Sequence, residues 1–174
     1  MSTPSARLLV WAGERSACIR IIGRANFTSS IDFKALVNEL RQRGCDCLAL
    51  DLSECVLMDS TFLGVLAGFG LKLRTGNGDQ GRPGIELLNP NARITELLDT
   101  LGVLHLFRLT QGPVDLPDQT EPRAHPSASP TQADLTRACL EAHQTLMDIS
   151  PANAARFKDV AQFLAESLKQ PKSG

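Results

Sequence analysis

The sequence predicts an α/β layer followed by an α-helical hairpin, and three observations predict it. Short apolar runs of strand character alternate with helical periodicity through about residue 110. A proline-rich stretch, Gln111 to Pro130, then interrupts all regular patterning. Beyond it lie two amphipathic segments joined by a short turn at Ser150-Pro151. The domain reading is 1–110 for the α/β unit, 111–130 for a semi-extended linker and 131–170 for the hairpin.

Arg7 to Ala12 and Ser16 to Ile22 are strands around the turn Ala12-Gly13-Glu14-Arg15. A helix follows, with Thr28, Ser29 or Ser30 as its cap and Phe33, Leu36, Val37 and Leu40 as its apolar stripe. Cys45 to Leu52 is a strand, and its continuous Cys47-Leu-Ala-Leu50 run predicts burial on both faces. A short polar turn leads to Ser60, where a second helix begins, running to between Lys72 and Thr75 with Leu63, Leu66, Ala67, Gly70 and Leu71 on its stripe. A glycine-rich loop, Gly76 to Gly84, enters the strand Ile85 to Leu88. Asn89 is the expected cap of a third helix, with Pro90 at its first position and Gly102 as its stop. His105 to Leu109 is the last strand.

In the hairpin, Ser129-Pro130-Thr131-Gln132 reads as a capping box. Leu135, Ala138, Cys139, Ala142 and Leu146 form one stripe, and Phe157, Val160, Ala161, Leu164 and Leu168 form the other. Two such helices cannot bury both stripes alone. They must dock on their own domain, on a second copy to give a homodimer, or on a partner.

Composition narrows the function. With 18 basic and 19 acidic side chains, a net charge of −1, one Trp and no Tyr, the chain has neither the field nor the stacking surface of a nucleic-acid binder. Five cysteines, an odd number, give no disulfide framework. The longest near-continuous apolar run, Phe62 to Leu71, is half of the about 20 residues a membrane span needs, so no direct membrane insertion is expected. With no signal-peptide pattern at its start, the chain reads as cytoplasmic.

Rival chemistries fail on geometry. Gly76-Asn-Gly78-Asp-Gln-Gly81 has the glycine spacing of a dinucleotide loop, but it follows a helix and enters a strand, the reverse of the required polarity. Cys45 and Cys47 lack further ligands for a metal, and at least one is expected to be a buried apolar side chain. His105, His125 and His143 lie on a strand, the linker and a helix without triad spacing. No catalytic residue, metal or cofactor is assigned, and the chain is read as a non-enzyme. What remains is Asp51, Ser53, Asp59 and Ser60, expected to gather where the third strand emerges. There a helix start offers free backbone N–H groups to a phosphate.

Asp51-Leu-Ser53, followed by Met58-Asp59-Ser60-Thr61-Phe62-Leu63-Gly64, resembles the signature of the STAS domain, and more narrowly that of bacterial anti-sigma factor antagonists. The resemblance covers about two thirds of the chain. It implies a sheet of four to five strands, no active site, and a regulatory serine at Ser60, ahead of Thr61, that is phosphorylated by an anti-sigma factor acting as a serine kinase and dephosphorylated by a phosphatase. In this scheme the unphosphorylated form binds the anti-sigma factor. The sequence departs from the pattern at Phe62, where glycine is usual, and at Asn26, where aspartate is usual. Phe62 is expected to place a ring on the surface that a partner contacts. The partner-binding residues this implies are Asn26, Ser53, Asp59, Ser60, Thr61, Phe62 and Leu63. A second function consistent with a STAS-like domain is an accessory subunit of a transport or lipid-trafficking complex, without phosphate on Ser60.

Overall fold

The computed structural model describes residues 6–73, 84–113, 123–126 and 129–169. The glycine motif at residues 76–81 lies outside them. One sheet carries the α/β unit: β1 (Arg7–Ala12), β2 (Ser16–Ala25), β3 (Cys47–Asp51), β4 (Cys55–Met58), β5 (Ile85–Leu88), β6 (Arg108–Thr110) and β7 (Arg123–Ala124). The helices are α1 (Phe27–Gln42), α2 (Ser60–Lys72), α3 (Ala92–Thr100), α4 (Gln132–Ile149) and α5 (Pro151–Lys169).

The strand order is β6-β5-β3-β2-β1-β7, with β4 also pairing β2. β1 and β2 form the antiparallel hairpin, while β2–β3, β3–β5 and β5–β6 are parallel. The five expected strands are present, and two short ones widen the sheet. β4 continues along the second half of the ten-residue β2, pairing Gly23 with Cys55 and Ala25 with Met58. β7 pairs Arg123 with Val10 and Ala124 with Leu9, so a strand forms inside the stretch read as a semi-extended linker. Two residues suffice because β1 already presents an unpaired edge there.

Three helix starts differ from expectation. Asn26 caps α1 in a reciprocal box with Ser29, so the Thr28–Ser30 run lies inside the helix. Asn91, not Asn89, caps α3, and its amide also donates to the Cys55 and Val56 carbonyls of β4. Asn89 instead takes a left-handed conformation, φ 55°, and its side chain bonds Gly112 in both directions. Thr131 with Asp134 forms the box of α4, two residues after the expected Ser129. His105 lies in a 3-10 turn, Leu104–Leu106, which delays the last strand to Arg108.

Phe33, Leu36, Ile19, Ile21, Leu50, Leu66 and Leu87 lie at the centre of the core. Leu146 of α4 belongs to the same cluster, so the hairpin closes onto its own α/β unit. Its turn is fastened by Asn153, fully buried, which donates to the carbonyls of Leu101 (2.7 Å) and Leu146 (2.9 Å). Along α5 the inward position is Ala161. Val160, expected on that stripe, is 44% exposed, because it falls outside the arc from Asn153 to Ala161 within which Phe157, Leu164 and Leu168 lie.

Candidate functional site at the start of helix α2

The junction of β4 and α2 is built from Asp59 and Ser60. Asp59 is the N-cap, and its carboxylate accepts from the Phe62 N–H at 2.8 Å. The Asp59 N–H donates to the Ala25 carbonyl at 3.0 Å, which sets the start of α2 beside Asn26 and the start of α1. The same carboxylate is stabilised by the backbone N–H groups of Phe27 and Thr61. Burial pushes the Asp59 carboxyl up, and these hydrogen bonds only partly offset it.

Ser60 opens α2, half-buried. Its Oγ lies 2.9 Å from Nε2 of His143 on α4. Nδ1 of His143 lies 2.6 Å from the Cys139 carbonyl. A carbonyl can only accept, so Nδ1 carries the proton, and in the neutral ring Nε2 is the acceptor for the Ser60 hydroxyl. The ring packs edge-on against Phe157 of α5, centroids 4.9 Å apart. Thr61, buried, donates its hydroxyl to Cys139 Sγ at 3.4 Å. Burial raises the Cys139 thiol, with that contact opposing the shift.

Below this polar pair the two helix backbones touch. A Cβ on Gly64 would run into the Ala142 carbonyl and lie 2.7 Å from the Ala142 Cβ. One turn on, Gly68 faces the Thr145 methyl, and Lys34 of α1 reaches Glu141 at 3.2 Å. Helix α4 thus runs along α2 from Ser60 to Gly68. A cleft of about 150 Å³ opens beside this contact, lined among others by Lys34, Gly68, Lys72 and Thr145; neither Ser60 nor His143 lines it.

The residues singled out in the sequence divide into three groups. Asn26, Asp59 and Ser60 come together at the adjoining helix starts. Phe62 and Leu63 are fully buried, Phe62 stacking 4.9 Å from Phe33, so neither side chain reaches a partner's surface. This corrects the expectation for Phe62. The signal was the spacing of Phe62, Leu66, Phe69 and Leu73, an inward-facing stripe at helical period. Ser53 and Asp51 stand apart. They flank the β3–β4 turn, and β4, about 13 Å of extended chain, separates that turn from Ser60. The four residues expected to gather thus form two clusters.

The second cluster is structural in character. Asp51, buried, accepts from the Ser53 hydroxyl (2.7 Å), the Ser53 N–H (3.0 Å) and Arg20 Nε (2.8 Å). Burial pushes its carboxyl up, but the Ser53 and Arg20 hydrogen bonds outweigh that and hold it below its usual value. Arg20 in turn lies over the Trp11 ring at 4.9 Å. Cys45 is half-buried and Cys47 exposed, so neither is the buried residue expected of that pair. Among the described residues no cluster of His, Cys, Asp or Glu could hold a metal, and no helix is long and apolar enough to cross a membrane. His143 gave no sequence signal, because only the docking of α4 brings it to Ser60, 83 positions away.

No protein-family model and no curated protein matches the sequence. Solved structures do. A Thermotoga maritima protein, solved as a candidate anti-sigma factor antagonist, superposes with a TM-score of 0.50 at 17% identity, over 60% of this chain and 86% of that one. The fold is STAS-like. SpoIIAA, an anti-sigma factor antagonist, aligns over the same 60% share in its unphosphorylated form (TM-score 0.49, 18% identity, 87% of that chain). The phosphorylated form of SpoIIAA from Bacillus aligns with a TM-score of 0.46 at 18% identity, over 90% of that chain.

Proposed function

We propose that this protein is a non-catalytic partner-switching module in which Ser60 is the phosphorylated residue, acting as an anti-sigma factor antagonist. The observation that supports the reading is the position of Ser60: first residue of α2, directly after the capping Asp59, on a STAS-like fold. Thr61 is the poorer acceptor because its side chain is buried. Transfer of the γ-phosphoryl group of ATP forms the Ser60 Oγ–P bond, releases ADP and passes the hydroxyl proton to the kinase. The product adds about −1.5 to −2 charge next to Asp59. A partner surface shaped for a neutral hydroxyl then faces a desolvated dianion, at a cost on the order of several kcal/mol. The unphosphorylated form binds an anti-sigma factor with serine kinase activity, a phosphatase restores it, and the protein works in the cytoplasm. Asn26, Asp59 and Ser60 form the polar centre of that surface.

Intact mass and the Ser60-containing peptide, measured on protein from its own cell under several growth conditions, test this. A gain of one phosphate at Ser60 that varies with condition is the expected result. Persistent absence of phosphate, with Ser60→Ala behaving as wild type, would sink it and favour a constitutive accessory subunit.

A further inference from the structure

The face of α2 that carries Ser60 is already occupied. From Ser60 to Gly68 it is covered by α4 of the same chain, and the contact is made of small and polar groups: Ser60 with His143, Thr61 with Cys139, Gly64 against Ala142. We propose that α4 is a built-in competitor for the partner-docking face of α2, so that a kinase or an anti-sigma factor engages Ser60 only after the hairpin has swung away.

The inference rests on the reading of Ser60 as the switch residue, and three features carry it. First, the Ser60 hydroxyl is hydrogen-bonded to a buried imidazole at 2.9 Å, which leaves no room for a tetrahedral phosphoryl group between Oγ and Nε2. A kinase has to break this bond to reach Oγ, and a phosphoryl group on it competes with His143 for the same space. Second, with the Gly64 and Ala142 backbones in contact, nothing can be inserted between α2 and α4; an incoming element has to replace α4. The element that fits is a helix with small side chains along one stripe, the chemistry that Ala138 and Ala142 present. Third, the contact lacks the large interlocking side chains of the core, and its polar groups can be satisfied as well by water or by a partner. The anchor lies elsewhere, at the hairpin turn, where Asn153 holds the Leu101 carbonyl and Leu146 is fully buried. His143 lies three residues before Leu146, so freeing Ser60 lifts Leu146 and the turn with it, and the hairpin moves as one body.

Three full-length purified chains, incubated with ATP in a thiol-free lysate of the native cell, test the proposal. Ala142→Leu overfills the contact from the α4 side and leaves α2 intact. Gly68→Cys with Thr145→Cys closes it by a disulfide away from Ser60, reversibly with dithiothreitol. Wild type stands between them. Alkylation of Cys139 by N-ethylmaleimide, read on its own peptide, reports opening and is expected to be at least fivefold faster in Ala142→Leu than in wild type. Ser60 phosphate is expected to rise in Ala142→Leu and to fall at least tenfold in the oxidised pair, recovering on reduction. Equal phosphate in all three chains would overturn the competitor and leave the reading of Ser60 standing. Absence of phosphate from all three would instead overturn the reading of Ser60. A synthetic peptide of residues 131–150 then decides the competitor: binding to Ala142→Leu but not to the oxidised pair upholds it, and any other pattern rejects it.

Discussion

The Ser60 hydroxyl and the His143 imidazole meet at 2.9 Å across 83 residues of chain. The bond joins the first residue of α2 to the middle of α4, and it leaves each group satisfied: His143 through Cys139 and Ser60, Ser60 through His143. Removing one partner strands the other, so the pair should show energetic coupling. In urea denaturation, Ser60→Ala is expected to cost about 1 kcal/mol and His143→Ala about 2–3 kcal/mol, since the latter also loses the Phe157 ring contact. The double variant should cost less than the sum, by about 1 kcal/mol. Strict additivity would mean that the bond is not formed in solution.

Gly64 tests the helix contact. Gly64→Ala favours helix formation locally but drives a methyl into the Ala142 backbone. The clash is expected to prevail, with net destabilisation of about 1–3 kcal/mol in thermal unfolding. Faster hydrogen exchange should be confined to α4 and α5. An unchanged or raised Tm would show that α4 does not lie on α2.

Asn153 tests the anchor. Asn153→Ala leaves the buried Leu101 and Leu146 carbonyls without their amide donor, for a loss of about 2–4 kcal/mol. Hydrogen exchange should then accelerate through α4 and α5 while β2 and β3 keep their protection. Uniform acceleration across the chain would mean that the hairpin and the sheet open together.

Asp51, buried, and Asp59, half-buried, respond to pH with opposite sign. The Asp51 carboxyl is held below its usual value, so the unfolded chain binds its proton more readily; its contribution is present above the unfolded value near 3.8 and is lost as pH falls through the lowered folded value. Asp51→Asn should cost about 2–3 kcal/mol at pH 7 and progressively less in acid. The Asp59 carboxyl is raised, so its contribution is present below 3.8 and is lost as pH rises through the raised value. Asp59→Asn keeps a capping acceptor and removes the half-buried charge, so at pH 7 it should be within about 0.5 kcal/mol of wild type or more stable, an advantage that fades in acid. Chemical denaturation from pH 3 to pH 7 checks both. Parallel profiles for the two variants would refute the assignment.

Much of the architecture was legible because it is local. Alternation in β1 and β2, the all-apolar Leu48–Leu50 run and the stripe of α1 each follow from side-chain direction along a strand or helix. The elements that escaped are those whose signal is shared or short. Three consecutive hydroxyl-bearing residues hid the Asn26 cap, and Asn89-Pro90 imitated a helix start that Asn91 supplies. β4 and β7 are held by neighbouring strands rather than by their own four and two residues.

By itself the sequence determined the order of five strands and five helices, the helix start at Asp59-Ser60 and the amphipathic character of the final hairpin, since each depends on residues a turn or two apart. Tertiary structure alone decided that Asp51 and Ser53 stand apart from Ser60 and that His143 covers the serine. The His143 contact joins positions 83 residues apart, and the course of β4, which carries the chain from Ser53 to Ser60, is set by its pairing with β2; no local preference encodes either. The His143 contact was fixed when Leu146 found the common core and Gly64 allowed α4 to lie directly on α2.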